Sequence, residues 1–417
     1  MDLLKKLFKG DKVIWVIFFL LCMISIIEVF SASSSLTYGT GNHWKPVAQH
    51  TSILLVGTLI ILLVHNINYR YFQIGGIILY PVSAVVLLFV LASHKINGAS
   101  RWLSIFGVQF QPSEIAKMAL IICVAFILAR SQEGDGTINK KAFPTILGLT
   151  IITCLLILPE NFSTSALLFC VILLMMFIGH IQLRKIIYTI LGAAGLGAIL
   201  IIIALLMPQS NKNIGMHRMS TWQGRIAVFK SHNQDVPAAQ FDIEHNNQVA
   251  HANIAIATSN IIGKMPGNST QRDFLAQAYS DFIFAIIIEE LGLLGGLFVV
   301  ILYIWLLIRA GRIAKKARGN FASMLVMGLT LMMVSQALLN MCVAVGLLPV
   351  TGQTLPFISK GGTSTIVNCI YLGMILSVSR YIQSSEAEKH DGITPNIDDL
   401  SITKETLESD DKIINGE

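Results

Sequence analysis

The feature that most constrains this chain is a series of apolar stretches, each long enough to cross a hydrocarbon layer of roughly 30 Å. They run near 13–33, 47–65, 74–92, 113–130, 143–159, 163–180, 186–207, 281–308, 322–346 and 363–382. In lipid every backbone N–H and C=O must be satisfied within the segment, which leaves the helix as the structure for such runs. The expected fold is therefore an all-α polytopic membrane protein of about ten transmembrane helices. Composition agrees. Only 13% of the 417 residues are charged and 54% are hydrophobic, whereas a water-soluble domain carries about 25% charged residues. Soluble enzymes and nucleic-acid-binding proteins are excluded on that ground.

Loop charge predicts the orientation. With the N-terminus in the cytoplasm, sixteen Lys and Arg residues of short segments lie inside, among them Lys5, Lys6, Lys9, Lys12, Arg70, Lys140, Lys141, Arg309, Lys315 and Arg380. Only Lys45, Lys95, Arg101 and Lys360 lie outside. Both termini are then cytoplasmic, and one large extracytoplasmic loop spans 208–280. The first apolar run is longer than a secretion-signal core, so it is read as an uncleaved helix. The net charge of +6 divides unevenly: Ser384–Glu417 holds ten acids against three lysines, which makes the tail −7 and the rest +13. The expected organisation is a cytoplasmic N-terminus at 1–12, a membrane domain at 13–382 and a disordered acidic cytoplasmic tail at 383–417. The six cysteines all fall in apolar runs with no Cys-x-x-Cys pair, as small apolar side chains do.

Three polar stretches interrupt this pattern on the outer side. The first runs from Asn97 through Arg101 to Pro112, Glu114 and Lys117. Pro112 suits the first turn of a helix, and Glu114 and Lys117, three apart, share a face. They form either a structural ion pair at a helix entrance or part of a polar cluster lining an outward cavity. The second is the loop Gly346–Ser364, with two prolines, Lys360, Gly361, Gly362, Thr363 and Ser364 leading into the last span. Glycines and a cation before a helix N-terminus suit a phosphate, while a rigid turn capped by Thr363 or Ser364 is the plain alternative. The third is Tyr279–Gly292, where Asp281 opens an apolar helix and Glu289 and Glu290 lie two turns further on. Asp281 is either an N-cap or a functional acid. Glu28, in the first span, is read as structural. The histidines are not spaced as metal ligands, and no metal-ligating residues are assigned.

These stretches carry a family resemblance. The chain resembles the SEDS family (shape, elongation, division and sporulation), whose members include FtsW, RodA and SpoVE, over most of 13–382. It rests on "NGASRWLSIFGVQFQPSEIAK", "PENFSTS", "DFIFAIIIEELG" and "GLLPVTGQTLPFISKGGTST" in that order. The resemblance implies a peptidoglycan glycosyltransferase that polymerises lipid II on the outer face of the cytoplasmic membrane. It further implies inverting hexosyl transfer with release of undecaprenyl diphosphate, alongside a class B penicillin-binding protein and divisome membrane proteins. The family's essential aspartate matches Asp281, and its Arg, Glu and Lys around Q-P-S-E-x-x-K match Arg101, Glu114 and Lys117. Lys360, Gly361, Gly362, Thr363 and Ser364 match the block before the last helix, where many relatives have Tyr in place of Lys360. Arg218 of the long loop is placed with the substrate contacts. Relatives often show Leu-Pro-Glu before the aspartate; here it is Leu275-Ala276-Gln277, so no role is carried over. Glu160-Asn161 also departs from the usual pattern. The loop block and the charged tail look more like FtsW, at the division septum, than RodA.

The chemistry needs a base for the acceptor's 4-hydroxyl and positive charge for the departing pyrophosphate. Asp281 suits the first. Arg101, Lys117, Lys360 and the N-terminus of the last helix suit the second. A divalent cation, Mg²⁺ or Mn²⁺, is plausible beside a pyrophosphate. The rivals are a lipid II flippase and a non-catalytic division scaffold; a flippase needs a polar path to the inner face, whereas the unusual charges here cluster outside.

Overall fold

The computed structural model describes residues 8–32, 44–92, 103–105, 108–132, 139–206, 247–275, 278–317 and 319–390. Its helices are α1 Lys12–Ala32, α2 Trp44–Val64, α3 Tyr71–Ala92, α4 Pro112–Arg130, α5 Ala142–Ile157, α6 Phe162–Ile178, α7 Leu183–Leu206, α8 Asn247–Ala257, α9 Ile283–Lys316, α10 Asn320–Ala344 and α11 Thr363–His390. Seven of them, α1–α4 and α9–α11, are long and apolar enough to cross a membrane. α5 and α6 are apolar but shorter, at 16 and 17 residues, and α7 runs for 24.

Burial sorts the helices into layers. α4 and α11 are 78% buried over their apolar windows and α10 is 67% buried, whereas α2 and α3 reach only 28% and 22%. The first three form the centre of the bundle, and the exposed apolar faces of α2 and α3 are of the kind lipid covers. Small residues let the helices approach closely, as is usual where lipid gives no hydrophobic drive between helices. Gly57 of α2 lies where a Cβ would meet Cys369 Sγ at 2.6 Å, and Gly373 of α11 where one would meet Val64 Cβ at 2.8 Å.

Three features depart from the sequence expectation. A short antiparallel hairpin, β1 Leu103–Ile105 with β2 Val108–Phe110, stands before α4, with Leu103 opposite Phe110. The chain is thus not wholly helical: Leu-Ser-Ile and Val-Gln-Phe alternate as strands do. The segment between α7 and α9 contains α8, whose Ala250, Ala252 and Ala255 are buried.

The third departure is the largest. The expected span 281–308 is not one straight helix, because Gly292 breaks it at φ 75°, ψ −177°. That φ is left-handed and favours glycine. The chain threads the break with the segment around Gly263: Leu293 N donates to Asn260 O at 3.3 Å, and Lys264 N donates to Glu289 O at 3.0 Å. A Cβ on Gly292 would stand 2.3 Å from Ile261 O, so any other residue would expel that segment. On one side of the break, Ile283–Glu290 is buried in protein; on the other, Leu293, Leu294, Leu297, Phe298 and Ile301 are exposed.

Candidate active site

α4 begins as its sequence dictates. Pro112 occupies the first turn after Gln111, and Glu114 lies in that turn. Lys117 Nζ donates to Glu114 Oε1 at 2.7 Å, with side-chain exposures of only 1% and 7%. Lys117 Nζ also lies 3.4 Å from Gln336 Oε1 of α10. Gln336 Nε2 then donates to Thr354 O at 3.0 Å, and Thr354 Oγ1 lies 3.1 Å from Ser364 Oγ at the start of α11. The pair is therefore sealed inside the bundle. Through Gln336 it is linked to loop 349–362.

That loop is an inserted element. Leu355, Pro356, Phe357, Ile358 and Ser359 are buried, and Phe357 has φ 65°. Irregular backbone at depth is tolerated where protein groups satisfy it, and here they do. The Tyr303 hydroxyl of α9 donates to Pro356 O. Ser25 Oγ of α1 donates to Ile358 O at 2.7 Å and lies 2.6 Å from His50 Nε2. Asn340 Nδ2 of α10 donates to Gln353 O at 2.7 Å and to Asp281 O at 2.9 Å. Gln353 Nε2 donates to Thr164 Oγ1 at 2.6 Å. Thr164 in turn belongs to the "PENFSTS" stretch, where Asn161 caps α6 by accepting from Thr164 N at 3.2 Å.

Asp281 lies where this loop meets the end of the outer segment. The N-cap of α9 is Phe282, with no side-chain cap bond, so Asp281 stands one residue before the cap and the capping alternative does not describe it. Its carboxylate is half-buried and accepts from the Ser280 hydroxyl at 3.1 Å. Gly352, at φ 69°, turns the facing loop so that even a Cβ there would stand 3.7 Å from Asp281 Oδ2. Two bonds tie the loop to the residues just before it: Ser359 Oγ donates to Ser280 O at 2.6 Å, and Lys360 N donates to Tyr279 O at 3.0 Å. Lys360 Nζ stands 5.4 Å from the centre of the Tyr279 ring, and burial lowers its pKa from the ordinary lysine value.

At α11 the helix starts at Thr363, so the cap position falls on Gly362 and neither Thr363 nor Ser364 fills it. Thr363 Oγ1 is buried and finds no hydrogen-bond partner among the described residues. With the free N–H groups of the first turn and Lys360 close by in sequence, it is a donor set suited to an anion. Arg101 and Arg218, the remaining expected substrate contacts, lie outside the described residues. Glu28 of α1 is fully buried between Ser25 and Ser31 in sequence, and neither of its oxygens has a partner among the described residues.

Glu289 and Glu290 do not reach neighbouring span helices alone; they hold the outer segment. Glu289 accepts from Lys264 Nζ at 2.7 Å, Thr270 N at 3.1 Å, Thr270 Oγ1 at 2.9 Å, Gln271 N at 3.4 Å and the Ser269 hydroxyl. Glu290 accepts from Gly267 N at 3.1 Å, Ser269 N at 3.2 Å and the Ser31 hydroxyl of α1. The sequence reading missed Gln336, Asn340, Gln353 and Thr164. The signal was present: Gln336 and Asn340 are polar residues four apart inside an apolar helix, and such residues are costly in lipid unless they have a task.

The family model for cell cycle proteins of the FtsW/RodA/SpoVE type matches residues 11–384. The chain belongs to that family. Among its FtsW relatives, the "Probable peptidoglycan glycosyltransferase FtsW" of Bacillus subtilis (strain 168) is 30% identical over 400 residues, covering 93% of this chain and 95% of that protein. The protein of the same name from Nitrosococcus halophilus is 32% identical over 333 residues, covering 78% and 80%. Two solved structures share the family fold. One is a chain from a study of how a peptidoglycan synthase complex coordinates polymerization and crosslinking, with TM-score 0.66 and 22% identity over 89% of this chain and 98% of that one. The other is the rod shape determining protein RodA of Thermus thermophilus, with TM-score 0.60 and 21% identity over 89% and 97%.

Proposed function

We propose that this FtsW/RodA/SpoVE family member is a peptidoglycan glycosyltransferase that polymerises lipid II on the outer face of the cytoplasmic membrane. The observation that carries the reading is the seam at Asp281: a half-buried carboxylate, outside the cap position, facing an inserted loop that leads into the N-terminus of α11. Asp281 takes the proton of the acceptor's 4-hydroxyl as that oxygen attacks the donor's anomeric carbon. The bond to the lipid pyrophosphate breaks, and the charge developing there is received by Lys360, the Thr363 hydroxyl and the first N–H groups of α11. Gln336, Asn340 and the Glu114–Lys117 pair keep the loop in register with Asp281.

Ten spanning helices with both termini inside supply the topology, and the −7 tail is a cytoplasmic appendage. A class B penicillin-binding protein is the partner by analogy with the peptidoglycan synthase complex of the solved relative, and the septum is the site of action by likeness to the FtsW relatives. A divalent cation is compatible with Asp281 beside a pyrophosphate. Among the described residues no group of three or more His, Cys, Asp or Glu could hold one, so no step above runs through it.

The test is lipid II polymerisation by the protein co-purified with its penicillin-binding protein, comparing wild type, Asp281→Asn and Asp281→Ala at matched levels. Both variants are expected to make no long glycan. Near wild-type polymer from Asp281→Asn overturns the assignment, because asparagine cannot take the proton. A flippase predicts lipid II movement without polymer. Orientation is checked separately: a cysteine at Asn268 reacts with an impermeant thiol reagent from outside, and one at Ala317 does not.

A further inference from the structure

At the opposite end of the bundle from Asp281, basic side chains from three segments gather around a buried histidine. His65 stands just past α2, is 1% exposed, and lies edge-on to Trp15 at 6.2 Å. Its Nδ1 lies 3.2 Å from Ile61 O, while Nε2 is buried with no hydrogen-bond partner among the described residues. Lys9 is joined to the same corner, since its carbonyl accepts from Trp15 Nε1 at 3.1 Å. Arg380 of α11 is fixed by two bonds, Nη1 to Asn66 Oδ1 at 2.8 Å and Nη2 to Asn66 O at 3.0 Å. Arg70 is held by Tyr381, with Nη2 3.3 Å from the hydroxyl and the guanidinium carbon 5.8 Å from the ring centre.

Among the described residues no acid pairs with Lys9, Arg70 or Arg380. The described acids at this end are committed elsewhere. Asp11 accepts from Arg309 Nε at 2.6 Å and caps α1 through Val13 N at 2.9 Å, and Glu386 pairs with Lys316 at 3.3 Å. Ordinary surface lysines that only orient a membrane protein need no fixed geometry. Here Asn66 fixes one guanidinium group and Tyr381 holds another at the same corner. Arg is the side chain suited to planar recognition of phosphate oxygens. Exposed apolar residues flank the corner, Leu63 at 62% and Ile67 at 43%, and Tyr69 and Tyr381 meet there edge to face at 5.1 Å, aromatics of the kind enriched at membrane interfaces.

We propose that Lys9, Arg70 and Arg380 seat the phosphodiester headgroup of an anionic phospholipid from the adjoining leaflet. The leaflet is the inner one if the orientation given under Proposed function holds, but the site itself does not depend on polymerase activity. The acidic tail, which leaves α11 beyond His390, is the rival occupant. Lipid is favoured because Arg380 lies ten residues before that point, roughly 15 Å back along the helix axis, level with the exposed apolar residues.

The experiment is native mass spectrometry of the full chain in detergent, titrated with phosphatidylglycerol and, separately, phosphatidylcholine. Wild type is expected to retain phosphatidylglycerol on the order of 100-fold more tightly, since each of the three basic residues contributes about a factor of five. Arg70→Gln/Arg380→Gln is expected to cut that preference to about fivefold, and Lys140→Gln/Lys141→Gln, on the same side, to leave it intact. If the double variant does not fold, as judged by thermal unfolding, the exposed Arg70→Gln alone is read for a several-fold loss. Equal retention of both lipids by wild type overturns the site, as does displacement of the lipid by inorganic phosphate. Deleting 391–417 is expected to change nothing; a large gain in lipid retention on deletion would make the tail the occupant. A failure of lipid II polymerisation leaves this readout untouched, so the two readings stand or fall apart.

Discussion

Asp281 and the Glu289–Glu290 pair lie within ten residues of one another, yet the fold treats them differently. Glu289 is enclosed by five donors from 264–271, and Glu290 by two backbone N–H groups, the Ser31 hydroxyl and Arg272 Nη1 at 3.9 Å. Both are fully buried. Asp281 is half-buried against a glycine turn. Buried carboxylates with full donor shells hold shape, because losing one strands every donor around it. A half-buried carboxylate at a seam facing the inserted loop is placed to do chemistry. Proximity to an active site therefore does not tell which acid reacts; burial and position do.

Four changes test that contrast. Asp281→Asn is expected to lower lipid II polymerisation by about 100- to 10,000-fold with thermal unfolding almost unmoved; a stability loss as large as its rate loss would place it with the clasp. Lys117→Met leaves Glu114 buried and unpaired, so it is expected to cost about 3–5 kcal/mol of stability, and the double change Glu114→Leu/Lys117→Met to recover most of it. Measured unfolding of the single and double variants decides, and a harmless Lys117→Met would show that the pair is not structural. Glu289→Ala is expected to cost less, about 2–3 kcal/mol, because Lys264, whose side chain is 26% exposed, can turn to water while two backbone N–H groups cannot. Its signature is protease cutting within 258–272 at temperatures where the rest of the bundle resists. Deleting residues 391–417 is expected to change polymerase activity in detergent by well under tenfold; a larger change would tie the tail to the site.

The sequence exposed the spans well and the seams poorly. Most helix ends fall within a few residues of the apolar windows because hydrocarbon thickness sets them, while α9 and α11 run eight residues past theirs to Lys316 and His390. Pro112 and Glu114 marked the start of α4 by local rules, and the structure follows them. The break at Gly292 was hidden because the flanking residues are apolar on both sides, so hydropathy reads through it. The position of Asp281 outside the cap was equally hidden, since a one-residue shift of a helix start leaves no trace in composition. The ties from Gln336, Asn340 and Gln353 to the inserted loop join α10 and the loop to residues far apart in the chain. Among them only the presence of Gln and Asn inside an apolar run could have been noticed.

The break at Gly292 also bears on how the chain is made. A membrane-insertion machinery reading residues 283–308 meets one continuous greasy segment with two glutamates near its start. Each carboxylate resists entry into the hydrocarbon by about 2.5–3.5 kcal/mol at the centre of a bilayer. In the finished molecule Ser31 and the 264–272 segment supply the donors that offset this. Ser31 and all of those donors precede Glu289 in the chain, so the clasp can close once the segment up to 290 has left the ribosome. A chain stripped of 258–272 is expected to leave 283–291 without a stable place on either side of the membrane, and to be removed by quality-control proteolysis before any question of catalysis arises.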